Sequence, residues 1–146
     1  MIISAFPATG KSYIFGNHKT IPSLEGLTFG DSDSSTFDKD EFPQNYLEHI
    51  LKRKDEVDVL FVSTHASVRR AMLDAGLTFV QVMPDPALKA QYLERCRLRG
   101  SPDAMISFLD TNWDSFFDDG HTPEKVVTLT EGQYLLDVLQ TLRAEA

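Results

Sequence analysis

The chain holds one cysteine and one tryptophan in 146 residues. A lone thiol cannot close an internal disulfide, and Cys96 lies in a helix-like stretch, so it reads as a core side chain. Neither an oxidising compartment nor a thiolate metal cluster is indicated. Histidine is also sparse, and His18, His49 and His121 have no ligand spacing, which argues against a histidine-bound metal. Basic residues are outnumbered: 14 Lys plus Arg against 22 Asp plus Glu leave a net charge of −8. Wrapping nucleic acid by charge alone needs a basic surface, so nucleic acid is not the expected partner. No apolar run approaches the roughly 20 residues of a membrane span. The opening apolar run is about five residues long and lacks a basic flank, unlike a signal peptide. A cytoplasmic monomer or homodimer without a membrane partner is expected. There is no internal repeat and no low-complexity segment.

What the sequence does contain is an alternation of short apolar runs and amphipathic stretches, the pattern of an α/β sheet in one domain spanning 1–146. Strands are expected at "IISAF" (2–6), "LTFGD" (27–31), "VDVLFVST" (57–64), "TFVQVMP" (78–84) and "KVVTL" (125–129). Each is continuously apolar rather than alternating, as parallel strands covered on both faces are. Between them, "FPQNYLEHILKRK" places Tyr46, Leu47, Ile50 and Leu51 on one helical face, and "SVRRAMLDAG" does the same with Val68, Ala71 and Met72. "DPALKAQYLERCRLRG" carries an Asp-Pro start and a Gly stop, with Leu88, Tyr92, Leu93 and Cys96 inward. Ile106, Leu109, Trp113 and Phe116 share helical spacing in the next stretch, and "EGQYLLDVLQTLRA" supplies a last helix. Segments 17–26, 31–43 and 118–124 read as loops.

The first loop carries the chemistry. "AFPATGKS" matches the phosphate-binding template G-x-x-x-x-G-K-[ST] at Gly10, Lys11 and Ser12, with Ala5 in place of the first glycine. A strand is expected before it and a helix after it, the context in which backbone N–H groups converge on phosphate. Ala8, Thr9, Gly10, Lys11, Ser12 and Tyr13 are therefore the expected ATP-binding residues. Lys11 would reach the β- and γ-phosphates and Ser12 would hold magnesium. Alanine is tolerated where φ is negative, so neither Ala5 nor Ala8 is expected to need positive φ.

Other polar residues belong to the same crevice, because ligands bind beyond the carboxyl ends of parallel strands. Asp31 and Asp33, after the second strand, are candidates to accept an acceptor hydroxyl's proton or to hold magnesium through water, with Asp33 the preferred base. Alternatively, they make turns and caps. His65, after the third strand, either contacts substrate or is a capping or hydrogen-bonding histidine. Adjacent helical positions differ by about 100°, so one of Arg69 and Arg70 faces inward, and the apolar neighbours Val68 and Met72 favour Arg69. Arg95 and Arg99, four apart, could clamp a transferring phosphoryl group from a mobile segment. A solvated helix end is the plainer alternative.

Taken together, "FPATGKS", "GDSDSS", "STHASVRRAML" and the arginine-bearing helix pair resemble the small P-loop kinases of the nucleoside monophosphate kinase, shikimate kinase and gluconate kinase type, over nearly the whole chain. The run D-x-D followed by "DKDEFPQNYL" is similar to a shortened gluconate kinase arrangement. The resemblance implies a three-layer P-loop NTPase fold, with a five-stranded parallel sheet of order 2-3-1-4-5 and helices on both faces. It also implies ATP and Mg2+ at the loop, an acceptor segment near 33–55 and a lid near 95–105. Catalytic roles would fall on Lys11, Asp33, Arg95 and Arg99, and acceptor binding on Asp31, Asp33, His65 and Arg69. Two departures bear on the acceptor. The third strand ends in "VSTH" without a Walker B carboxylate, and the stretch from Asp33 to Tyr46 is short for a nucleotide-binding insert. The expected activity is transfer of the γ-phosphoryl of ATP to a small acceptor, a nucleotide or nucleoside ahead of a sugar acid. A nucleotide-binding regulator and a polynucleotide-end kinase are the alternatives from other classes.

Overall fold

The computed structural model describes residues 1–32, 37–117 and 120–145. Five strands form one all-parallel sheet in the order β2-β3-β1-β4-β5: β1 (Ile2–Ala5), β2 (Phe29–Asp31), β3 (Val59–Val62), β4 (Val80–Pro84) and β5 (Lys125–Leu129). Among the described residues six α-helices connect and cover them: α1 (Lys11–Asn17), α2 (Gln44–Arg53), α3 (Ala66–Asp74), α4 (Lys89–Leu98), α5 (Asp103–Asn112) and α6 (Leu135–Glu145).

Strand alternation sorts the core into two faces. Ile3, Ala5, Val59, Phe61 and Val82 pack against Ile14 of α1 and Leu135, Leu139 and Leu142 of α6. Ile2, Leu60 and Val62 point the other way, onto Tyr46 and Ile50 of α2 and Val68 and Met72 of α3. A third cluster fills the space beyond the ends of β1 and β4, where Phe6 and Met83 meet Tyr92 and Cys96 of α4, Leu109 of α5 and Trp113. The helices thus cover both faces of the sheet, and α4 and α5 close over its carboxyl edge.

Strands are shorter than the apolar runs suggested, for identifiable reasons. Phe6 leaves β1 to enter the aromatic cluster. Ser63 and Thr64 pass beyond β3 into a cavity wall. The amide of Leu27 turns back to the carbonyl of Leu24, so β2 begins at Phe29. Two 3-10 turns, His18–Thr20 and Pro22–Leu24, occupy the segment expected as loop. Leu51 is 39% exposed rather than core, because of the four residues expected inward it lies farthest in helical angle from the Tyr46 and Ile50 stripe of α2. The stretch holding Trp113 tightens after Asn112 into a 3-10 segment, Trp113–Phe116, with the indole N–H donating to the carbonyl of Pro86 at 2.9 Å.

One turn positions the site directly. Gly100 has φ +80, and after it the amides of Gly100 and Ser101 donate to the carbonyls of Arg97 and Cys96, closing α4 with a left-handed residue. That turn folds α5 back beside α4 and sets Arg99, Gly100 and Ser101 on the cavity rim.

Candidate functional site

The β1–α1 loop is built by its carbonyls. Ala5 ends β1, fully buried, and its carbonyl accepts from Lys11 Nζ at 3.2 Å. The carbonyl of Phe6 accepts from the buried Thr9 hydroxyl at 2.7 Å. The carbonyl of Ala8 accepts from Arg95 at 3.2 Å, that of Thr9 from the amide of Leu135 at 2.8 Å, and that of Gly10 from the amide of Ile14 at 3.1 Å. Across a trans peptide the C=O and the following N–H point in opposite directions. Turning these carbonyls into the protein therefore aims the amides of Thr9, Gly10 and Lys11 towards the mouth of the loop.

This geometry corrects the expectation for Ala8. Ala5 is extended, as expected, but Ala8 has φ +65. A left-handed non-glycine residue costs about 1–2 kcal/mol. The packing of its methyl group, 7% exposed within the Phe6 cluster, and the grip of Arg95 on its carbonyl offset that cost. Gly10 has φ +98, and a Cβ built there would lie 3.3 Å from Tyr134 Cδ1. Gly10→Ala combines backbone strain with that contact. We expect it to cost about 1–2 kcal/mol, a fall of about 3–8 °C in Tm, measurable by thermal unfolding.

Lys11 and Ser12 stand on the wall of a cavity of about 940 Å³. Its polar rim comes from the ends of β2 and β3: Asp31, Ser32, Ser63, Thr64, His65 and Arg69. Its opposite wall is apolar, formed by Phe6, Met83, Met105, Phe108, Leu109 and Phe116. Arg99 and Ser101 close one side, with Arg99 Nε donating to the Ser101 hydroxyl at 2.8 Å. Most of the residues expected at the crevice are thus brought together. Asp33 lies outside the described residues.

Arg69 is 2% exposed, while Arg70 sits at the surface 3.9 Å from Asp74. The choice between them by helical spacing agrees with the structure. Arg69 donates to the carbonyls of Thr64 at 2.9 Å and His121 at 2.6 Å, fixing its guanidinium at the cavity wall. His65 holds the N-cap position of α3 without a side-chain cap hydrogen bond and lines the cavity. Asp31 ends β2 and is among the residues that line the cavity. Among the described residues no three His, Cys, Asp or Glu side chains gather as a metal cage. A cation at Ser12 and Asp31 would draw its other ligands from phosphate and water.

Two expected residues point elsewhere. Arg95 does not share the cavity with Arg99: its guanidinium lies 4.4 Å from the ring centre of Tyr92 and 4.0 Å from that of Tyr134, behind the loop. Tyr13 is 59% exposed and, with Gly10, Tyr134, Leu136 and Asp137, lines a separate groove of about 360 Å³. Arg97, between the two arginines, pairs with Glu94 on the outer face.

Sequence reasoning missed the tie between β2 and β3. The buried Tyr46 hydroxyl donates to the carbonyl of Ser32 at 2.6 Å and accepts from the amide of Ser63 at 3.1 Å. Helical periodicity marked Tyr46 as apolar core and carried no signal of its hydroxyl. Ser32 also pairs with His49 Nε2 at 2.9 Å. The apolar cavity wall was visible only as helix core, because the same spacing serves both purposes.

His65 on the rim and His49 behind Ser32 are both held below the ordinary imidazole pKa. His65 is shifted by its removal from bulk water and by the Lys11 and Arg69 charges. His49 is shifted by burial first and then by Arg53, with Glu56 opposing. Protonation is disfavoured in the folded chain, so the unfolded chain binds more protons and stability rises with pH. The contribution is complete above the unfolded value of 6.5 and is lost as pH falls from there through the depressed folded values. Tm should therefore fall between pH 7.5 and 5, and His49→Gln with His65→Gln should flatten that slope. An unchanged slope in the double variant would assign the effect to other groups.

No family model matches this chain, and no curated protein matches it. Among solved structures it is similar to an uncharacterized protein from Eubacterium ventriosum ATCC 27560, with 12% sequence identity and a TM-score of 0.49, covering 99% of this chain and 94% of that one.

Proposed function

We propose that the chain is a P-loop kinase of the three-layer NTPase fold that moves the γ-phosphoryl of ATP to a small acceptor, a nucleoside or nucleotide. One observation carries the reading: the loop bearing Lys11 and Ser12 opens onto a single cavity with a polar rim and an apolar wall. About 940 Å³ is within the range of small-molecule sites and suits an acceptor beside a triphosphate tail. The apolar wall suits a flat heterocycle, and the rim suits hydroxyls and anionic oxygens. The cations Arg69 and Arg99 also favour an anionic acceptor, which keeps a sugar acid as the second reading.

In this reading Lys11 and the amides of Thr9, Gly10 and Lys11 bind the phosphates, and Arg99 faces the transferring group from the α4–α5 turn. Magnesium, when bound, supplies charge neutralisation between the phosphates, and Ser12 and Asp31 are the residues that would hold it. The acceptor oxygen bonds to Pγ as the bond from Pγ to the β,γ-bridging oxygen breaks, and ADP leaves. Asp33, proposed on sequence grounds alone, takes the hydroxyl proton; His65 orients the acceptor. The groove between Tyr13 and Tyr134 would take the base of ATP. ADP release in the presence of MgATP and a panel of nucleosides, nucleotides and sugar acids tests the proposal. Stimulation by a nucleoside or nucleotide supports it, stimulation by a sugar acid alone selects the second reading, and stimulation by none favours a binding protein.

A further inference from the structure

We infer that Arg95 is a positioning residue that clamps the β1–α1 loop in its anion-ready form, rather than a group that touches the transferring phosphoryl. The inference rests on the phosphate-binding reading of the loop. Two aromatic faces hold the guanidinium, Tyr92 from its own helix and Tyr134 from the β5–α6 turn, at 4.4 and 4.0 Å. A planar cation between two rings keeps its in-plane N–H groups pointing outward in a fixed direction. One donates to the carbonyl of Ala8 at 3.2 Å and another approaches the carbonyl of Gln133 at 3.5 Å.

The grip falls on the peptide that most needs holding. Ala8 is the sole non-glycine with positive φ among the described residues, and its carbonyl belongs to the peptide that supplies the amide of Thr9. Released from Arg95, that peptide can rotate away from the left-handed region, and the Thr9 amide then leaves the mouth of the loop. The next peptide is fixed from the same side, since the Thr9 carbonyl accepts from the amide of Leu135, one residue after the ring that covers Arg95. Arg95 and the β5–α6 turn therefore act on neighbouring peptides of one loop. A transition-state arginine would instead line the cavity, as Arg99 does from the turn beyond α4 and Arg95 does not.

The test compares Arg95→Ala and Arg95→Lys with the wild type in three readouts: Tm, hydrogen exchange of the loop amides without nucleotide, and titration of MgATP together with turnover at saturation. Arg95→Ala should speed exchange at Thr9 and Gly10 and weaken MgATP about tenfold or more, since a charge-assisted hydrogen bond is lost. Turnover at saturating MgATP should stay within about threefold, the signature of lost ground-state binding. Arg95→Lys keeps a donor for Ala8 but loses the planar stack, and should fall between the two. Unchanged loop exchange and MgATP affinity with a lowered Tm would overturn the inference in favour of a packing role. A large loss of turnover at unchanged affinity would overturn it in favour of direct contact with the phosphoryl group. Wild-type protein that fails to bind MgATP would sink the phosphate-binding reading itself, an outcome the exchange of the unliganded loop separates from failure of the clamp.

Discussion

Lys11→Ala is expected to cut phosphoryl transfer by at least about a hundredfold while the fold survives, the size of effect seen when a preorganised charge partner is removed. The Lys11 ammonium donates to the Ala5 carbonyl inside the loop, 3.2 Å away, at the wall of the large cavity. Its removal takes a cation from beside the proposed triphosphate. The Ala5 carbonyl loses that donor. Circular dichroism and Tm close to wild type, with turnover lost, are the predicted pair of results. A variant with full turnover would remove the kinase assignment.

The largest stability effect should come from Phe6→Ala, about 3–5 kcal/mol, or roughly 10–15 °C in Tm. Phe6 is 2% exposed, and its ring meets Tyr92, Trp113 and Phe116 edge-on at 6.1, 5.4 and 5.6 Å and stacks on Phe117 at 6.3 Å. It is the point where the first loop and the α4–α5 pair share a core. Truncation removes the aromatic contacts, leaves a cavity and loosens the apolar wall of the site. Phe6→Leu keeps most of the volume and should recover over half of the loss. If Phe6→Ala melts like the wild type, α4 and α5 are held to the loop by other contacts.

Periodicity and motif spacing made much of this legible. The five apolar runs became the five strands, but burial on both faces holds along the whole of β1 and β3 only; β5, at the expected residues, is a sheet edge exposed at Lys125, Val126 and Thr128 and buried at Leu129. Arg69 was separable from Arg70 by angle alone. The left-handed Ala8 was not legible, since its conformation is imposed from outside by Arg95 and the Phe6 cluster. Nor was the parting of Arg95 from Arg99: an i,i+4 pair shares a helix face until the helix ends. Here α4 closes at Arg99 and Gly100, so that the second arginine turns with the loop. The role of Tyr46 was hidden for a related reason, as a hydroxyl that joins two strand ends leaves no periodic trace.

The central claim is that the β1–α1 loop binds a triphosphate, and thermal unfolding with and without MgATP tests it most directly. A ligand that binds only the folded chain stabilises it by about 2.7 kcal/mol at a hundred times its Kd. The account predicts a concentration-dependent rise in Tm for the wild type that is lost in Lys11→Ala. An unchanged Tm for the wild type at saturating millimolar MgATP would contradict it.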